Sequence, residues 1–359
     1  MEKIVLFTAN VQGGILQLTL QLYKSLLELG YSPKIFMPYE IKDCDLGKIN
    51  SEDIFQYHKE KRVLNKKPYR DVAGRISALS PQYIWYMDDS VICSNVGTYL
   101  PKNIKQLLTL HDAGTHHPTN HKSLRSVLVE KYTEMVNKNF YDIVYRFILL
   151  SPESEKTFSA LYPKYTDKSV MMPLGAHLPD VEEVKPSEMT KHGEYLLFFG
   201  RIDKYKGIEN LLKAYKKVSD KALQLVIAGG GQFTEKEKEL IENCNNLTVI
   251  NRYISDCEMK WLLHHMDAAV LPYIEATQSG IIPLAYLFGK PVIVSNVPGL
   301  TQFVENGETG IIYTSQEELE EAIVKMSQRQ SEDRTSVICD YYYRNMDWNT
   351  NLKELFAKI

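Results

Sequence analysis

Short, continuously apolar runs alternate along this chain with longer segments whose apolar residues recur at helical spacing. Ile4-Val5-Leu6-Phe7-Thr8 is an unbroken, β-branched run, the pattern of a strand buried on both faces of a parallel sheet. From Leu16 to Leu29 the positions Leu18, Leu22, Leu26 and Leu27 keep helical spacing, and Gly30 supplies a C-terminal stop. Ser32-Pro33-Lys34-Ile35-Phe36-Met37 then resumes a strand, so the chain opens as a βαβ unit with a right-handed crossover. Further runs at 83–86, 106–110 and 147–150 carry one α/β domain through the first half.

Around Met171-Met172-Pro173-Leu174-Gly175, and on to Pro186, the sequence turns polar and proline-punctuated, as a linker does. A second series starts at Tyr195-Leu196-Leu197-Phe198-Phe199-Gly200. It predicts helices over 208–218 and 257–265, with strands at 223–228, 247–250, 268–271 and 291–294. The economical reading is α/β, two tandem Rossmann-like, doubly wound domains facing a cleft, the place where such pairs hold a ligand. The domains are expected at 1–180 and 181–335.

Two turns in the second series carry candidate chemistry. In Phe198-Phe199-Gly200-Arg201-Ile202-Asp203-Lys204-Tyr205-Lys206-Gly207 a strand end is followed by Gly200, Arg201, and a Lys206-Gly207 pair entering a helix. Two cations beside the positive end of a helix dipole suit a diphosphate. The second turn, Tyr273 to Pro283, follows the strand at 268–271. Ser279 is placed to cap a helix, Gly280 lets a ligand approach the backbone, and Pro283 falls in the first turn where a missing N–H costs little. A plain surface loop and plain helix capping are the structural alternatives for these turns.

In this order the two turns resemble the nucleotide-sugar-binding half of family 4 retaining glycosyltransferases, which have the GT-B architecture. In that family a GR-x(4)-KG turn supplies an Arg and a Lys to the donor diphosphate, matched here by Arg201 and Lys206. Leu225-Val226-Ile227-Ala228-Gly229-Gly230-Gly231, Gly289-Lys290-Pro291-Val292-Ile293, Val297-Pro298-Gly299-Leu300 and Gly307-Glu308-Thr309-Gly310 resemble other family segments, so the likeness spans about residues 195–315. The resemblance implies donor contacts at Gly200, Tyr253, Ile254, Thr277, Gln278, Ser279 and Gly280. One departure stands out. The family carries two glutamates with seven residues between them, and Ala276 and Leu284 occupy those places. Glu275, one residue from the first, is its stand-in near the donor sugar, and no residue supplies the second. The Thr-Gln-Ser-Gly turn resembles a variant of some bacterial surface-polysaccharide transferases.

In the first half, Val11-Gln12-Gly13-Gly14 resembles the family's glycine-rich loop facing the donor, and it lacks a dinucleotide fingerprint. His111-Asp112, closing the strand at 106–110, resembles a His-Asp whose His sits near the reacting sugar; a His hydrogen-bonded to a backbone carbonyl is the structural alternative. His111, His116, His117 and His121 match no standard zinc spacing, and the family needs no metal, so neither metal nor cofactor is expected. The resemblance makes 336–359 a C-terminal helix that crosses back to the first domain, with Tyr341-Tyr342-Tyr343 and Trp348 as packing aromatics.

Composition narrows the function further. Hydrophobic residues at 44% and charged residues at 24% exclude a disordered or collagenous chain. A net charge of −3 gives no field for wrapping nucleic acid, and none is expected as a partner. The first 180 residues hold 22 Lys+Arg against 19 Asp+Glu, the remainder 20 against 26, so the first half is the more basic. Lys59, Lys61, Arg62, Lys66, Lys67 and Arg70 concentrate that charge, as a solvated face or as a peripheral contact with anionic lipid. Five scattered cysteines without a CxxC fit a reducing compartment, and the start lacks a signal-peptide apolar region, so a cytoplasmic location is expected. The resemblance to the retaining glycosyltransferases implies metal-independent, retaining transfer of a sugar from a nucleoside diphosphate donor, UDP ahead of GDP, to a glycan or lipid-linked acceptor hydroxyl, as in surface-polysaccharide assembly. A catalytically silent nucleotide-binding partner subunit and a sugar-nucleotide epimerase on the same fold are the alternatives.

Overall fold

Strand β1 (Lys3–Phe7) is flanked on both sides by parallel neighbours, β2 (Ser32–Pro38) and β4 (Tyr83–Tyr86). This follows from its composition, because Ile4, Val5, Leu6 and Phe7 are fully buried, and only an interior strand covered on both faces buries every side chain. The computed structural model describes residues 2–10, 14–39, 49–60, 65–111, 124–178, 180–190, 195–328 and 334–359, with backbone alone for 124–130. The chain divides into two compact units, one of Met1–Pro173 with Trp348–Ile359 and one of Leu174–Asp347.

The first unit adds β3 (Ile54–Tyr57), β5 (Lys105–Leu110), β6 (Arg146–Leu149) and β7 (Ser169–Met171), giving seven parallel strands in the order β3-β2-β1-β4-β5-β6-β7. Its connecting helices are α1 (Gly14–Glu28), α2 (Lys67–Ala78), α3 (Val91–Thr98), α4 (Leu124–Ile143) and α5 (Pro152–Leu161). Leu18, Leu22 and Leu26 form the buried stripe of α1. Ser90 and Ser151 cap α3 and α5 by accepting the N–H groups of Cys93 and Ser154. Strand order reverses between β1 and β4, the kind of switch point beside which open α/β sheets hold ligands.

The second unit has β8 (Tyr195–Phe199), α6 (Ile208–Val218), β9 (Gln224–Ala228), α7 (Glu235–Glu242), β10 (Leu247–Ile250), α8 (Asp256–His265), β11 (Ala268–Leu271), α9 (Ile281–Leu287), β12 (Val292–Ser295), α10 (Pro298–Thr301), β13 (Gly310–Tyr313), α11 (Gln316–Gln328) and α12 (Thr335–Asn345). Its six parallel strands run β10-β9-β8-β11-β12-β13, with the reversal between β8 and β11. Capping boxes start α7 (Thr234 with Glu237) and α8 (Ser255 with Glu258).

Two segments differ from the sequence reading. The proline-punctuated stretch read as a linker belongs to the second unit from Leu174 onward and meets α8 at Val181 and Val184: Lys260 Nζ donates to the Val181 carbonyl at 2.9 Å, and the Val184 N–H donates to that of Cys257 at 3.2 Å. Its backbone and the Glu183 carboxylate, 2.9 Å from His264 Nδ1, have partners on the helix. The C-terminal segment is two helices rather than one. In α12 Tyr342 is buried and its hydroxyl donates to the Ala176 carbonyl at 2.7 Å, within the second unit. Helix α13 (Trp348–Lys358) belongs to the first unit, where buried Trp348 donates to Gln21 at 3.1 Å and Phe356 stacks on Tyr31. No helix among the described residues is long and apolar enough to cross a membrane.

Candidate functional site

At the reversal in the second unit, the loop leaving β8 lies beside the loop leaving β11. Glycine geometry makes the first loop possible. Gly200 and Gly229 carry φ of +130° and +147°, a region L side chains avoid. A Cβ at Gly229 would collide with the Gly200 carbonyl, and one at Gly231 with that of Ile202. The Gly200 and Ile202 N–H groups donate to Ala228 and Gly230, each at 3.0 Å. The glycines after β9 therefore form a floor for the Gly200–Ile202 backbone.

A single 3-10 turn, Lys204–Lys206, then leads to Gly207, whose φ of +67° caps α6. A Cβ there would strike the Pro272 carbonyl, and the Ile274 N–H donates to the Tyr205 carbonyl at 2.8 Å. This lacing places Lys206 Nζ 3.6 Å from the centroid of the Tyr273 ring and 5.0 Å from that of Tyr205. Burial, followed by repulsion from the Arg201 guanidinium, pushes the Lys206 ammonium down to about 8, with Asp203 pulling the other way. Arg201 is exposed, and among the described residues neither cation has a carboxylate within ion-pair distance. Two like charges held close without a counterion are relieved by an incoming anion.

Three anchors shape the second loop. Ser295 Oγ donates to the Tyr273 carbonyl at 2.6 Å, the Tyr273 and Ser279 hydroxyls lie 3.3 Å apart, and Gly299 sits where a Cβ would collide with the Ala276 carbonyl. Helix α9 begins with Gly280 as its N-cap, not with Ser279 as the sequence suggests. Ser279 is buried with its hydroxyl toward Tyr273, although that oxygen still accepts the Ile281 N–H at 3.3 Å. Thr277 is half-buried in this loop, and the buried Gln278 Oε1 has no hydrogen-bond partner among the described residues. Glu275 is exposed and makes no hydrogen bond or ion pair among them. Leu284 packs half-buried against the core.

The loop after β10 is fixed by Arg252, which bonds Glu188 through Nε and Nη2, both at 2.8 Å, and Glu258 through Nη1 and Nη2 at 2.9 and 2.7 Å. Tyr253 is thereby held 79% exposed, whereas the Ile254 side chain enters the core and leaves only its backbone for a ligand.

In the first unit, Gly14 opens α1, and a Cβ added there would meet nothing within 4 Å, while Gly13 lies outside the described residues. His111 Nε2 lies 2.9 Å from the Met87 carbonyl. A carbonyl only accepts, so Nε2 carries a proton. The residue after Met87, Asp88, is buried and accepts the Ala9 N–H at 2.8 Å. Sequence reasoning missed Asp88, Tyr273 and Arg252; the signal for Asp88 was a carboxylate shortly after the apolar run Tyr83–Tyr86.

His116, His117 and His121 lie outside the described residues. Among the described residues one set of possible metal ligands converges, Glu183, His264 and His265, with ligand atoms within 4.8 Å of one another. Its imidazoles are engaged internally, His264 Nδ1 with Glu183 and His265 Nδ1 with the Trp261 carbonyl, each at 2.9 Å.

Residues 180–341, which contain both laced loops, match the family described as glycosyl transferases group 1. A 2-deoxystreptamine N-acetyl-D-glucosaminyltransferase of Niallia circulans is 25% identical over 227 residues, 62% of this chain and 55% of that protein. The chain spans about half the length or less of the curated relatives it matches first. A glycosyltransferase from Rickettsia africae ESF-5 superposes with a TM-score of 0.75 at 18% identity, covering 99% of this chain and 97% of that one. Anabaena Alr3699/HepE in complex with UDP-glucose gives 0.73 at 15%, with both chains fully covered. At these identities the solved structures speak for the fold, which is the pair of parallel-sheet, Rossmann-like domains of GT-B glycosyltransferases.

Proposed function

We propose that the protein is a glycosyltransferase that moves a sugar from a nucleoside diphosphate sugar, UDP-linked ahead of GDP-linked, to a hydroxyl of a glycan or lipid-linked acceptor with retention of configuration. The observation that carries this reading is the Arg201–Lys206 pair at the strand-order reversal of the group 1 segment, two cations without a carboxylate partner among the described residues. As the glycosyl–phosphate bond breaks, negative charge grows on the diphosphate. Preplaced cations stabilise that charge more in the transition state than in the ground state, which lowers the barrier. Two fixed positive charges match the charge of a divalent cation, so the reaction is expected to proceed without metal.

In the same reading the backbone from Thr277 to Gly280 meets the diphosphate, Tyr253 and the Ile254 backbone meet the base, and Glu275 orients sugar hydroxyls. His111 stands near the reacting sugar with its proton committed to Met87. Retention follows from acceptor attack on the face the diphosphate leaves, with a phosphate oxygen taking the acceptor proton. Work in the cytoplasm on surface polysaccharide, with the basic stretch against anionic lipid, completes the proposal.

The test is a thermal-shift screen against UDP, GDP, ADP and CMP with chelator present, followed by turnover of the sugar nucleotide whose base binds. A ligand at a hundred times its Kd adds about 2.7 kcal/mol to stability. Arg201→Ala is expected to cut turnover by about 100-fold with the fold intact. Nucleotide binding without turnover of any donor would favour the silent partner subunit instead.

A further inference from the structure

The tip of β4 holds a charge that the proposed chemistry leaves unused. Asp88 is 6% exposed. Its Oδ2 accepts the Ala9 N–H at 2.8 Å and the Asn10 N–H at 3.2 Å, and lies 3.1 Å from the Thr8 hydroxyl. Its Oδ1 accepts the Ser90 N–H at 3.2 Å and faces Cys93 Sγ at 3.3 Å. All five partners are neutral, and among the described residues Asp88 has no ion pair. A buried carboxylate held only by neutral donors is costly unless those donors are fixed in place, so the carboxylate and the loop order one another.

The donors on Oδ2 come from one place, Thr8 to Asn10, where the chain leaves β1 towards Gly13-Gly14. Strand pairing does not need them. The Met87 N–H already donates to the Phe7 carbonyl at 2.8 Å, and the strands are in register from Ile4 to Phe7. The extra bonds therefore act beyond the sheet, on the loop alone. The preceding residue, Met87, holds the His111 ring. One dipeptide thus bonds both Thr8–Asn10, the described residues after β1, and His111, which the sequence marks as near the donor sugar.

We propose that Asp88 is a positioning residue, whose carboxylate holds the loop after β1 in the geometry that donor turnover requires while contributing little to nucleotide binding. The turnover part rests on the glycosyltransferase reading above. Asn at this position keeps one oxygen for the loop but turns an NH2 group toward a donor N–H, so the carboxylate's five acceptor contacts are not all replaceable. Displacement of a positioning group by about 1 Å is enough to cost about 100-fold in rate. A residue that only stabilised the fold would lower melting temperature, binding and turnover together.

The experiment compares the full chain with Asp88→Asn and, as a milder second variant, Thr8→Val, which removes the hydroxyl beside the carboxylate together with that hydroxyl's own bonds to the Asn10 carbonyl at 2.7 Å and N–H at 3.1 Å, so that in this variant only Ala9 exchange reports on Asp88. Four quantities are read: melting temperature, UDP affinity, kcat and KM for the UDP-sugar that the parent protein hydrolyses or transfers, and amide hydrogen exchange at Ala9 and Asn10. Expected for Asp88→Asn are UDP affinity within about 3-fold, kcat reduced about 100-fold with KM little changed, and exchange at both amides at least about 10-fold faster. Thr8→Val should move kcat and Ala9 exchange in the same directions by less. A turnover unchanged by Asp88→Asn, or a proportional fall of affinity, kcat and melting temperature, would overturn the proposal. Should the parent protein turn over no donor, the glycosyltransferase reading fails and takes the turnover part with it. Loop holding is then judged by exchange alone, and unaltered exchange at Ala9 and Asn10 would overturn that too.

Discussion

Lys206 rests its ammonium nitrogen 3.6 Å from the centre of the Tyr273 ring, so a cation from the β8 loop is seated on an aromatic from the β11 loop. The ring gives partial compensation, since a cation over an aromatic face gains about 0.5–2 kcal/mol. Water is excluded at the same time. The balance leaves the amine titrating at about 8, close to neutrality.

That value makes anion binding pH-dependent with a definite sign. A bound diphosphate favours the ammonium and raises its pKa, so binding takes up a proton wherever the free amine is partly neutral. Affinity for UDP is expected to be flat below about pH 7 and to fall as pH rises through about 8. Calorimetry near that pH in two buffers of different ionisation enthalpy should show net proton uptake, and Lys206→Arg should abolish it.

The same cation is a burden to the empty protein. Its folded pKa lies below the unfolded value of about 10.4, so the unfolded chain binds more protons between those values, and this group's contribution to stability rises with pH across that window. Lys206→Met, which keeps the stem and removes the charge, is expected to stabilise the nucleotide-free protein at neutral pH by on the order of 1 kcal/mol. It should also erase the UDP-induced thermal shift. A destabilised variant would mean that the ring contact outweighs desolvation.

Legibility in the sequence followed the range of the interaction. The strands at 247–250 and 268–271 and the helix at 208–218 coincide with β10, β11 and α6, because a buried strand and an amphipathic helix each write their burial into consecutive residues. Arg201 and Lys206 were readable for the same reason, lying in one turn. The Tyr273 ring beneath Lys206 was not, since it lies in the loop after a strand that sheet pairing brings beside β8, and no periodicity links the two loops. Asp88 was passed over because Asp-Asp-Ser after a strand reads as an ordinary turn, and only the folded chain brings the Ala9 and Asn10 amides to it. The connector after Leu174 failed in the opposite direction: its prolines and charges look like a free linker until Arg252 and Lys260 supply partners.

Gly207 should tolerate no side chain. Alanine there meets two costs, the left-handed φ of +67° and the collision with the Pro272 carbonyl, which cannot swing aside because it is backbone. Gly207→Ala is expected to destabilise by about 1–3 kcal/mol and to weaken UDP binding by separating the two laced loops. Gly14→Ala is the control, since its Cβ would meet nothing within 4 Å. It should leave stability within about 0.5 kcal/mol.

Arg252 is expected to make the second unit acid-sensitive. Its guanidinium is shared by Glu188 and Glu258, and each carboxyl is held down at about 2 chiefly by its hydrogen bonds to Arg252. A carboxyl whose folded pKa lies below its unfolded value of about 4.3 contributes stability that is complete above that value and is lost as pH falls towards 2. Glu258 is the better covered of the two, with 15% of its side chain exposed against 33% for Glu188, so solvent screening takes more from Glu188. Arg252→Gln is therefore expected to lower the melting temperature at neutral pH, at a cost on the order of 1 kcal/mol, and to flatten its decline between about pH 5 and about pH 2.5. A decline as steep as the parent's would place the acid sensitivity elsewhere. The substitution also frees the loop carrying Tyr253, whose carbonyl accepts from Arg252 Nη1 at 3.1 Å, so UDP affinity should weaken alongside stability at neutral pH.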